Sequence, residues 1–502
     1  MFKRSKKLEE IKCKKYTFKK VEILKILGIS YDEKVNFKKH HLNIKENLNT
    51  DINLLKMISS LKHGIHPYSA LNIFKATIKS KLDYSAMVTS YSPSENLHKT
   101  QVIQNLALRK VLGLTRSTPV MSISGISGIQ PRVFQNEQKL SKYILKKIYH
   151  DTDFKLEGTI FENLLNKYPI FKKCPKCPKS NILLHRQPLN LEIDTSAINK
   201  DKNISKAKAL ELILDKYADY HQVYTDGSIE NQDGCRGIGI FYKNSLDHEQ
   251  IQITDKISIK QTEIIAIWTA IKEIIIRGNN KMALFTDSLS SLLSLKSHIE
   301  GKNDSFYENL IINLAKDNPQ VNIVLIWIPS HCGILGNEKA DILAKLATSH
   351  HPDNRLLEIQ IEPQECFRLI MNEINRQWIK FYQDNTTITG KHLRHIIGTP
   401  PEEPWFKRAK LSNRNIKIIN RLKTGHTYNR KTLHLFKVQD SSKCNRCTEN
   451  CDEDDNHILF KCIASENERK KCNILTTYSN TIDMLKISLY LNTKIYYTFC
   501  PP

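Results

Sequence analysis

The chain has 502 residues, 40% of them hydrophobic, which is enough for roughly two to four domains with their own cores. Lys and Arg number 76 against 52 Asp and Glu, and the net charge of +24 favours nucleic acid as a partner. An anionic membrane surface is the competing interpretation, but no apolar run is long enough to span a bilayer. The amino-terminal "MFKRSKKLEEIKCKKYTFKK" lacks the apolar stretch of a signal peptide, so we expect an intracellular protein, nuclear or cytoplasmic.

Hydrophobic spacing and composition change several times along the chain. In an intracellular protein the 12 cysteines are expected to be reduced thiols or metal ligands. Cys174 and Cys177 form only half of a metal site in a stretch rich in Pro and Lys. The predicted segments are a mainly helical module at 1–149, a linker at 150–217, an α/β domain at 218–350, a helical basic region at 351–440, a cysteine cluster at 441–465 and a tail at 466–502.

The central segment carries acids at regular points of an alternating strand and helix pattern. "QVYTDGS" predicts a strand ending on Asp226, followed by a hairpin and a third strand, "HEQIQIT". "KQTEIIAIWTAIKEIIIRGN" predicts a helix with Glu263 in its first turn. "KMALFTDS" predicts a buried strand ending on Asp287, and "VNIVLIWIPSH" delivers His331 before a helix that carries Asp341. Open α/β sheets place their ligands at the carboxyl ends of strands, so these side chains are expected to converge.

Four converging carboxylates would repel one another unless a cation lay between them. Two unit charges about 4 Å apart interact with about 4 kcal/mol at an effective dielectric of about 20. Ligands that are all oxygen favour Mg²⁺ or Mn²⁺ over zinc or copper. Two such ions about 3.5 to 4 Å apart activate a water and stabilise the leaving oxygen of a phosphodiester. The pattern therefore predicts hydrolysis without a covalent intermediate.

Each acid also has an ordinary structural interpretation. Asp226 before Gly-Ser is typical of a turn, Glu263 of a helix start favoured by the helix dipole, and Asp287 of an N-cap. Asp341 has the spacing for a surface pair with Lys345. These interpretations hold singly, but they do not explain why strand ends and helices deliver four acids and a histidine in this order.

The motifs "YTDGS", "QTEIIAI", "FTDS" and "WIPSHCGILGNEKADILAK" resemble the four blocks of type 1 ribonuclease H, in the form found in jockey-like non-LTR retrotransposon polyproteins. The resemblance implies a five-stranded mixed sheet with flanking helices. It also implies an endonuclease that cleaves the RNA strand of RNA/DNA hybrids and leaves 5′-phosphomonoesters. The corresponding residues are Asp226, Glu263, Asp287 and Asp341 as ligands of two Mg²⁺ or Mn²⁺ ions, with His331 as a further catalytic residue.

The flanking segments resemble the same polyproteins. "VEILKILGISYDEKVNFKKH", "KSKLDYSA" and "IQNLALRKVLGLTRSTP" are similar to the thumb and connection that follow a reverse transcriptase palm. No polymerase acid motif stands in a matching context, so the resemblance implies a carboxyl-terminal portion without polymerase activity.

The tail holds a second candidate metal site. Cys444, Cys447, His457 and Cys462 have the spacing C-x2-C-x9-H-x4-C, which is able to close a tetrahedral zinc site, and "RLKTGHTYNR" upstream resembles the lead-in to the terminal zinc knuckle of these elements. Cys451 is a possible competing ligand. The alternative is a group of reduced surface thiols.

Three hypotheses for function follow. The first is an active ribonuclease specific for RNA/DNA hybrids, and the second is a non-catalytic nucleic-acid-binding remnant of a retroelement. The third is a DEDD-type exonuclease, which requires a second acid two residues after Asp226. Ser228 stands at that position, so the exonuclease hypothesis is disfavoured.

Overall fold

The computed structural model describes residues 10–13, 16–19, 21–90, 92–151, 153–154, 161–177, 191–198, 201–230, 234–349, 354–472 and 480–487. The chain divides into two compact units, one formed by Met1–Leu140 with Glu373–Pro502 and the other by Ser141–Asn372. Within the described ranges, no helix is long and apolar enough to cross a bilayer.

The strands are β1 (Glu10–Cys13), β2 (Tyr16–Lys19), β3 (Ile23–Ile26), β4 (Ile29–Asp32), β5 (Leu191–Asp194), β6 (His221–Ile229), β7 (Arg236–Tyr242), β8 (His248–Ile253), β9 (Lys281–Thr286), β10 (Asn322–Trp327) and β11 (Arg355–Leu356). The helices are α1 (Lys38–Ile58), α2 (Pro67–Phe74), α3 (Ser80–Tyr84), α4 (Ala86–Thr89), α5 (Ser94–Leu112), α6 (Val120–Ser127), α7 (Arg132–His150), α8 (Glu162–Lys167), α9 (Lys202–Glu211), α10 (Ile259–Ile276), α11 (Leu289–Ile299), α12 (Phe306–Asp317), α13 (Leu335–Thr348), α14 (Pro363–Thr386), α15 (Lys391–Ile396), α16 (Asn413–Thr424), α17 (Arg430–Leu435), α18 (Glu466–Cys472) and α19 (Thr481–Ile487).

The first unit is mainly helical, but two hairpins precede its first helix. Strands β1 and β2 form one antiparallel pair, and β3 and β4 form another. Leu27 and Gly28 join β3 to β4 with φ angles of 46° and 82°. A two-residue type I′ hairpin turn requires positive φ at both residues. The prediction of a mainly helical module at 1–149 did not include these four-residue strands, because short Lys-rich strands give a weak periodic signal. Apolar residues from both parts of the unit, among them Phe74, Leu108 and Phe406, share one buried core.

The second unit is built on one mixed sheet, which confirms the α/β class predicted for the central segment. Across the described residues the strand order is β11-β8-β7-β6-β9-β10-β5. Strand β7 is antiparallel to both of its neighbours, β6 and β8, whereas β6, β9, β10 and β5 run parallel to one another, as do β8 and β11. Seven strands exceed the five expected. The five come from within 218–350, and the short strands β5 and β11 extend the two edges from the flanking segments.

Helix α13 lies against β7 because that strand has glycines where side chains would otherwise stand. A Cβ added at Gly239 would lie 2.1 Å from the Ala340 carbonyl oxygen and 2.6 Å from the Ala344 nitrogen. One at Gly237 would lie 1.9 Å from the Ala344 carbonyl oxygen. These neighbours are helix backbone, so a side chain on this face of β7 would displace α13 and the Asp341 that it carries.

We predict that Gly239→Ala lowers the free energy of unfolding by about 1–3 kcal/mol, the usual cost of overpacking a well-packed core. Chemical denaturation of the full chain, with a probe in the second unit, measures this change. Asp317→Asn, at an exposed position of the same unit, is the control. Equal losses in the two variants would contradict the close packing of α13 on β7.

Candidate active site

Asp226 lies inside β6, three residues before the end of that strand, and its side chain is buried. The prediction that Asp226 ends its strand is therefore wrong, because pairing with β7 continues to Ile229. Asp226 is opposite Gly239 in the β6–β7 register, and Thr225 pairs with Thr286 of β9. Since Asp226 follows Thr225 and Asp287 follows Thr286 on parallel neighbours, the register itself brings the two carboxyl groups together.

Glu263 reaches the same place from α10. The helix begins at Ile259 after the N-cap Ser258, so Glu263 is its fifth residue. The prediction that Glu263 lies in the first turn is therefore wrong. A Cβ on Gly227 would lie 3.2 Å from Cδ of Glu263. The missing side chain at Gly227 thus leaves room for this carboxyl group against the sheet, and the Gly227 amide hydrogen-bonds to it.

Asp287 follows β9 and is held from two sides. Its carboxyl oxygen Oδ2 accepts a hydrogen bond from Nδ2 of buried Asn337 at 3.4 Å, and its carbonyl oxygen accepts one from Nε1 of Trp327 at 3.1 Å. The N-cap of α11 is Ser288, so the N-cap interpretation of Asp287 does not hold. The space that Gly227 leaves for Glu263 is a contribution that the sequence analysis missed. A glycine inside a strand, typical of close backbone approach, was the available signal for Gly227.

One carboxylate oxygen each from Asp226, Glu263 and Asp287 lies within 4.8 Å of the other two. Burial, followed by the charges of Asp287 and Asp341, raises the pKa of Asp226 to about 8. Burial and the two neighbouring aspartates raise the pKa of Glu263 well above its ordinary value. Burial also raises the pKa of Asp287, although Asn337 opposes that shift. Without a cation, the cluster therefore holds protons near neutral pH.

Asp341 lies beside this group on α13, and its charge is among the causes of the raised pKa of Asp226. Its Oδ2 lies 2.7 Å from Nζ of Lys345, so the surface pair that the spacing allowed is present. The same oxygen lies 4.0 Å from Nδ1 of His331. His331 is 70% exposed and has a φ of 51°, which places a non-glycine residue in the left-handed region at the mouth of the site.

The donor set suits a hard divalent cation. Its members are carboxylate oxygens, and Oε2 of Glu263 is buried with no hydrogen-bond partner in the described structure. An orphaned buried acceptor among like charges is costly unless a cation satisfies it. Asp226, Glu263 and Asp287 are thus placed to hold Mg²⁺ or Mn²⁺, with Asp341 at the rim.

Comparison with known proteins identifies this part of the chain. Residues 219–349 match the family model described as RNase H. These residues form an RNase H domain. The chain is 26% identical over 149 residues to Ribonuclease H1 of Homo sapiens, which covers 27% of this chain and 52% of that protein. It is 27% identical over 140 residues to Ribonuclease H of Ruthia magnifica subsp. Calyptogena magnifica, covering 25% and 92%. The chain thus spans about half the length of the human relative.

A second cluster lies outside the RNase H domain, in the first unit. One ligand atom from each of Cys444, Cys447, His457 and Cys462 lies within 4.8 Å of the others, so the structure brings the four predicted residues together. The sulfurs of Cys444 and Cys462 are 3.9 Å apart, and Cys447 Sγ is 3.5 Å from His457 Nε2. Cys451 faces the other ring nitrogen, with its sulfur 3.1 Å from Nδ1.

The raised pKa of Asp226 predicts how the metal-free RNase H domain responds to pH. The unfolded pKa is about 3.9. The stability that protonated Asp226 contributes is therefore fully present below about pH 4. It is lost as the pH rises through the folded-state pKa of about 8. In EDTA we expect Asp226→Asn to be more stable than the parent by on the order of 1–3 kcal/mol near pH 8, and by less near pH 5. Denaturation of both chains across that range measures the difference.

Asp317→Asn is the control, because Asp317 is exposed. A stability difference between Asp226→Asn and the parent that stays constant with pH would contradict the carboxyl cluster.

Proposed function

We propose that the RNase H domain hydrolyses the RNA strand of RNA/DNA hybrids as a divalent-metal-dependent endonuclease. The observation that carries the proposal is the convergence of Asp226, Glu263 and Asp287 within 4.8 Å, with Asp341 beside them, in a segment that matches the RNase H family. A buried group of acids in this arrangement has no evident structural use, since it destabilises the fold without a cation.

The carboxylates Asp226, Glu263, Asp287 and Asp341 would hold two Mg²⁺ or Mn²⁺ ions, which activate a water and stabilise the leaving oxygen of a phosphodiester. Asn337 donates to Asp287 and fixes its orientation, as outer partners of metal ligands do. His331, exposed at the mouth, is placed to transfer a proton as product departs.

The alternative is a non-catalytic protein that binds nucleic acid. The net charge of +24 supports either function, because Lys and Arg neutralise phosphates whatever the sequence of the nucleic acid. The two differ in one respect: the alternative predicts binding without cleavage. We also propose that the chain derives from the carboxyl-terminal part of a retroelement polyprotein, which would supply hybrids from reverse transcription.

We predict that Asp287→Asn abolishes hybrid cleavage while leaving the fold intact, because it removes one ligand and relieves repulsion. The purified full chain is incubated with Mg²⁺ and end-labelled RNA/DNA hybrid, double-stranded RNA or double-stranded DNA. We expect cleavage of the RNA in the hybrid alone and loss of that cleavage in EDTA.

Asp317→Asn, at an exposed position on α12, is the matched control and should cleave as the parent does. Hybrid binding by the parent with no cleavage would favour the non-catalytic alternative, and undiminished cleavage by folded Asp287→Asn would refute the catalytic assignment.

We further propose that Cys444, Cys447, His457 and Cys462 bind one structural zinc ion. Three of the four ligands, two cysteines and the histidine, are buried. The backbone nitrogen of His457 donates to Oδ1 of Asp454 at 2.9 Å, which fixes the position of His457. Nε2 of His457 lies 3.5 Å from the Cys447 sulfur and 3.7 Å from the Cys451 sulfur, so Cys451 competes with this set for the histidine.

We predict that Cys447→Ser lowers the zinc content of the full chain by about one ion, as measured by elemental analysis after purification without chelators. Cys451→Ser is the matched control and should keep that ion. Hybrid cleavage should survive in both, since neither change touches the RNase H domain. Loss of zinc from Cys451→Ser alone would instead assign the ion to Cys451.

A further inference from the structure

A third group of possible metal ligands lies outside both sites, in the second unit. One ligand atom from each of His150, Cys177 and Asp304 lies within 4.8 Å of the other two. His150 is the last residue of α7, Cys177 belongs to the Cys174–Cys177 pair, and Asp304 directly precedes the N-cap of α12. The sequence paired Cys177 with Cys174 as half a site, but the cluster contains Cys177 alone of that pair, and its other two ligands are distant in the chain.

The distance between the Cys177 sulfur and the Asp304 carboxylate fits a small tetrahedral ion. Bond lengths of 2.0 to 2.3 Å place the ligand atoms of tetrahedral zinc about 3.3–3.8 Å apart. The sulfur of Cys177 lies 3.4 Å from Oδ2 of Asp304. A hydrogen bond from the thiol to the carboxylate would explain this distance. It would not explain why a nitrogen of His150 lies within 4.8 Å of both groups.

Neighbouring groups orient the Asp304 carboxylate. Its Oδ1 accepts a hydrogen bond from Nδ2 of Asn309 at 3.0 Å and one from the Tyr149 hydroxyl at 3.5 Å, which directs Oδ2 toward Cys177. Outer hydrogen bonds of this kind fix the ligands of metal sites.

The backbone holds the cysteine in place. The Cys177 nitrogen donates to the Tyr149 carbonyl at 2.6 Å, so this loop is attached to the last turn of α7. The carboxyl end of a helix carries partial negative charge and favours a cation. His150 and Asp304 also line a cleft of about 440 Å³, which leaves space for a water as fourth ligand.

A nucleophilic thiolate is the competing use of Cys177. Reactive cysteines have positive neighbours that stabilise the thiolate, whereas the Cys177 sulfur has the Asp304 carboxylate beside it as well as His150. That arrangement disfavours a bare thiolate, but it is normal between two ligands that share a cation.

We propose that His150, Cys177 and Asp304 bind one divalent ion of the zinc class, with water from the cleft as the fourth ligand. Nitrogen, sulfur and oxygen together suit zinc better than the hard ions expected in the RNase H domain. The ion would join Cys177 to the end of α7 and to the start of α12, and so to the RNase H domain.

Cobalt titration of the full chain tests this site. Co²⁺ replaces zinc and gives an absorption band for each bound thiolate. The titration uses a background in which Cys444, Cys447, Cys451 and Cys462 are all replaced by Ser, to remove the tail thiolates, and excess Mg²⁺ to occupy the carboxylates. We expect about one thiolate-bound Co²⁺ per chain, loss of the band in Cys177→Ser, and weaker binding by at least about tenfold in Asp304→Asn.

Cys174→Ser is the matched control, three residues away and outside the cluster, and should keep the band. His150→Ala changes an exposed side chain, so it reports on the same site even if Cys177→Ser fails to fold. No band in the background chain, a band that survives in Cys177→Ser, or unchanged affinity in folded His150→Ala and Asp304→Asn would overturn the proposal.

Discussion

Repulsion among carboxyl groups buried together is the constraint on which the RNase H domain depends. Asp226 and Asp287 are adjacent because β6 and β9 run parallel in one register, and Glu263 joins them because Gly227 leaves space. The glycines of β7 let α13 approach and bring Asp341 to the rim. Each of these features moves a negative charge toward the others, and each is unfavourable until a cation is present.

The sequence predicted the acids and much of their framework because strand and helix periods are local. "KMALFTDS" is a buried strand followed by Asp287, and the helix containing Glu263 extends nearly as its apolar pattern indicated. What the sequence could not supply was set by pairing between distant segments. Pairing with β7 continues β6 beyond Asp226, and the use of Gly227 is visible only when α10 lies across it. The edge strands β5 and β11 likewise exist only through their partners.

The candidate metal sites differ in their ligands. Oxygen ligands are gathered in the RNase H domain, where hard ions suit phosphodiester chemistry. Cysteine and histidine are gathered at Cys444–Cys462 and around Cys177, where ions of the zinc class suit structural roles. Spacing alone predicted the tail cluster, because its ligands are close in sequence. It gave only Cys177 of the third cluster, since His150 and Asp304 reach it through the fold.

Proton release on metal binding tests most directly whether a cation relieves the repulsion in the carboxyl cluster. Calorimetric titration of the full chain with Mn²⁺ near pH 7, in two buffers of different ionisation enthalpy, counts the protons displaced. Because the pKa of Asp226 is raised to about 8, binding should release on the order of one proton per chain, and Asp226→Asn should reduce that release. Equal proton release by the parent and Asp226→Asn, or no Mn²⁺ binding that depends on Asp226, would contradict a metal site at this cluster.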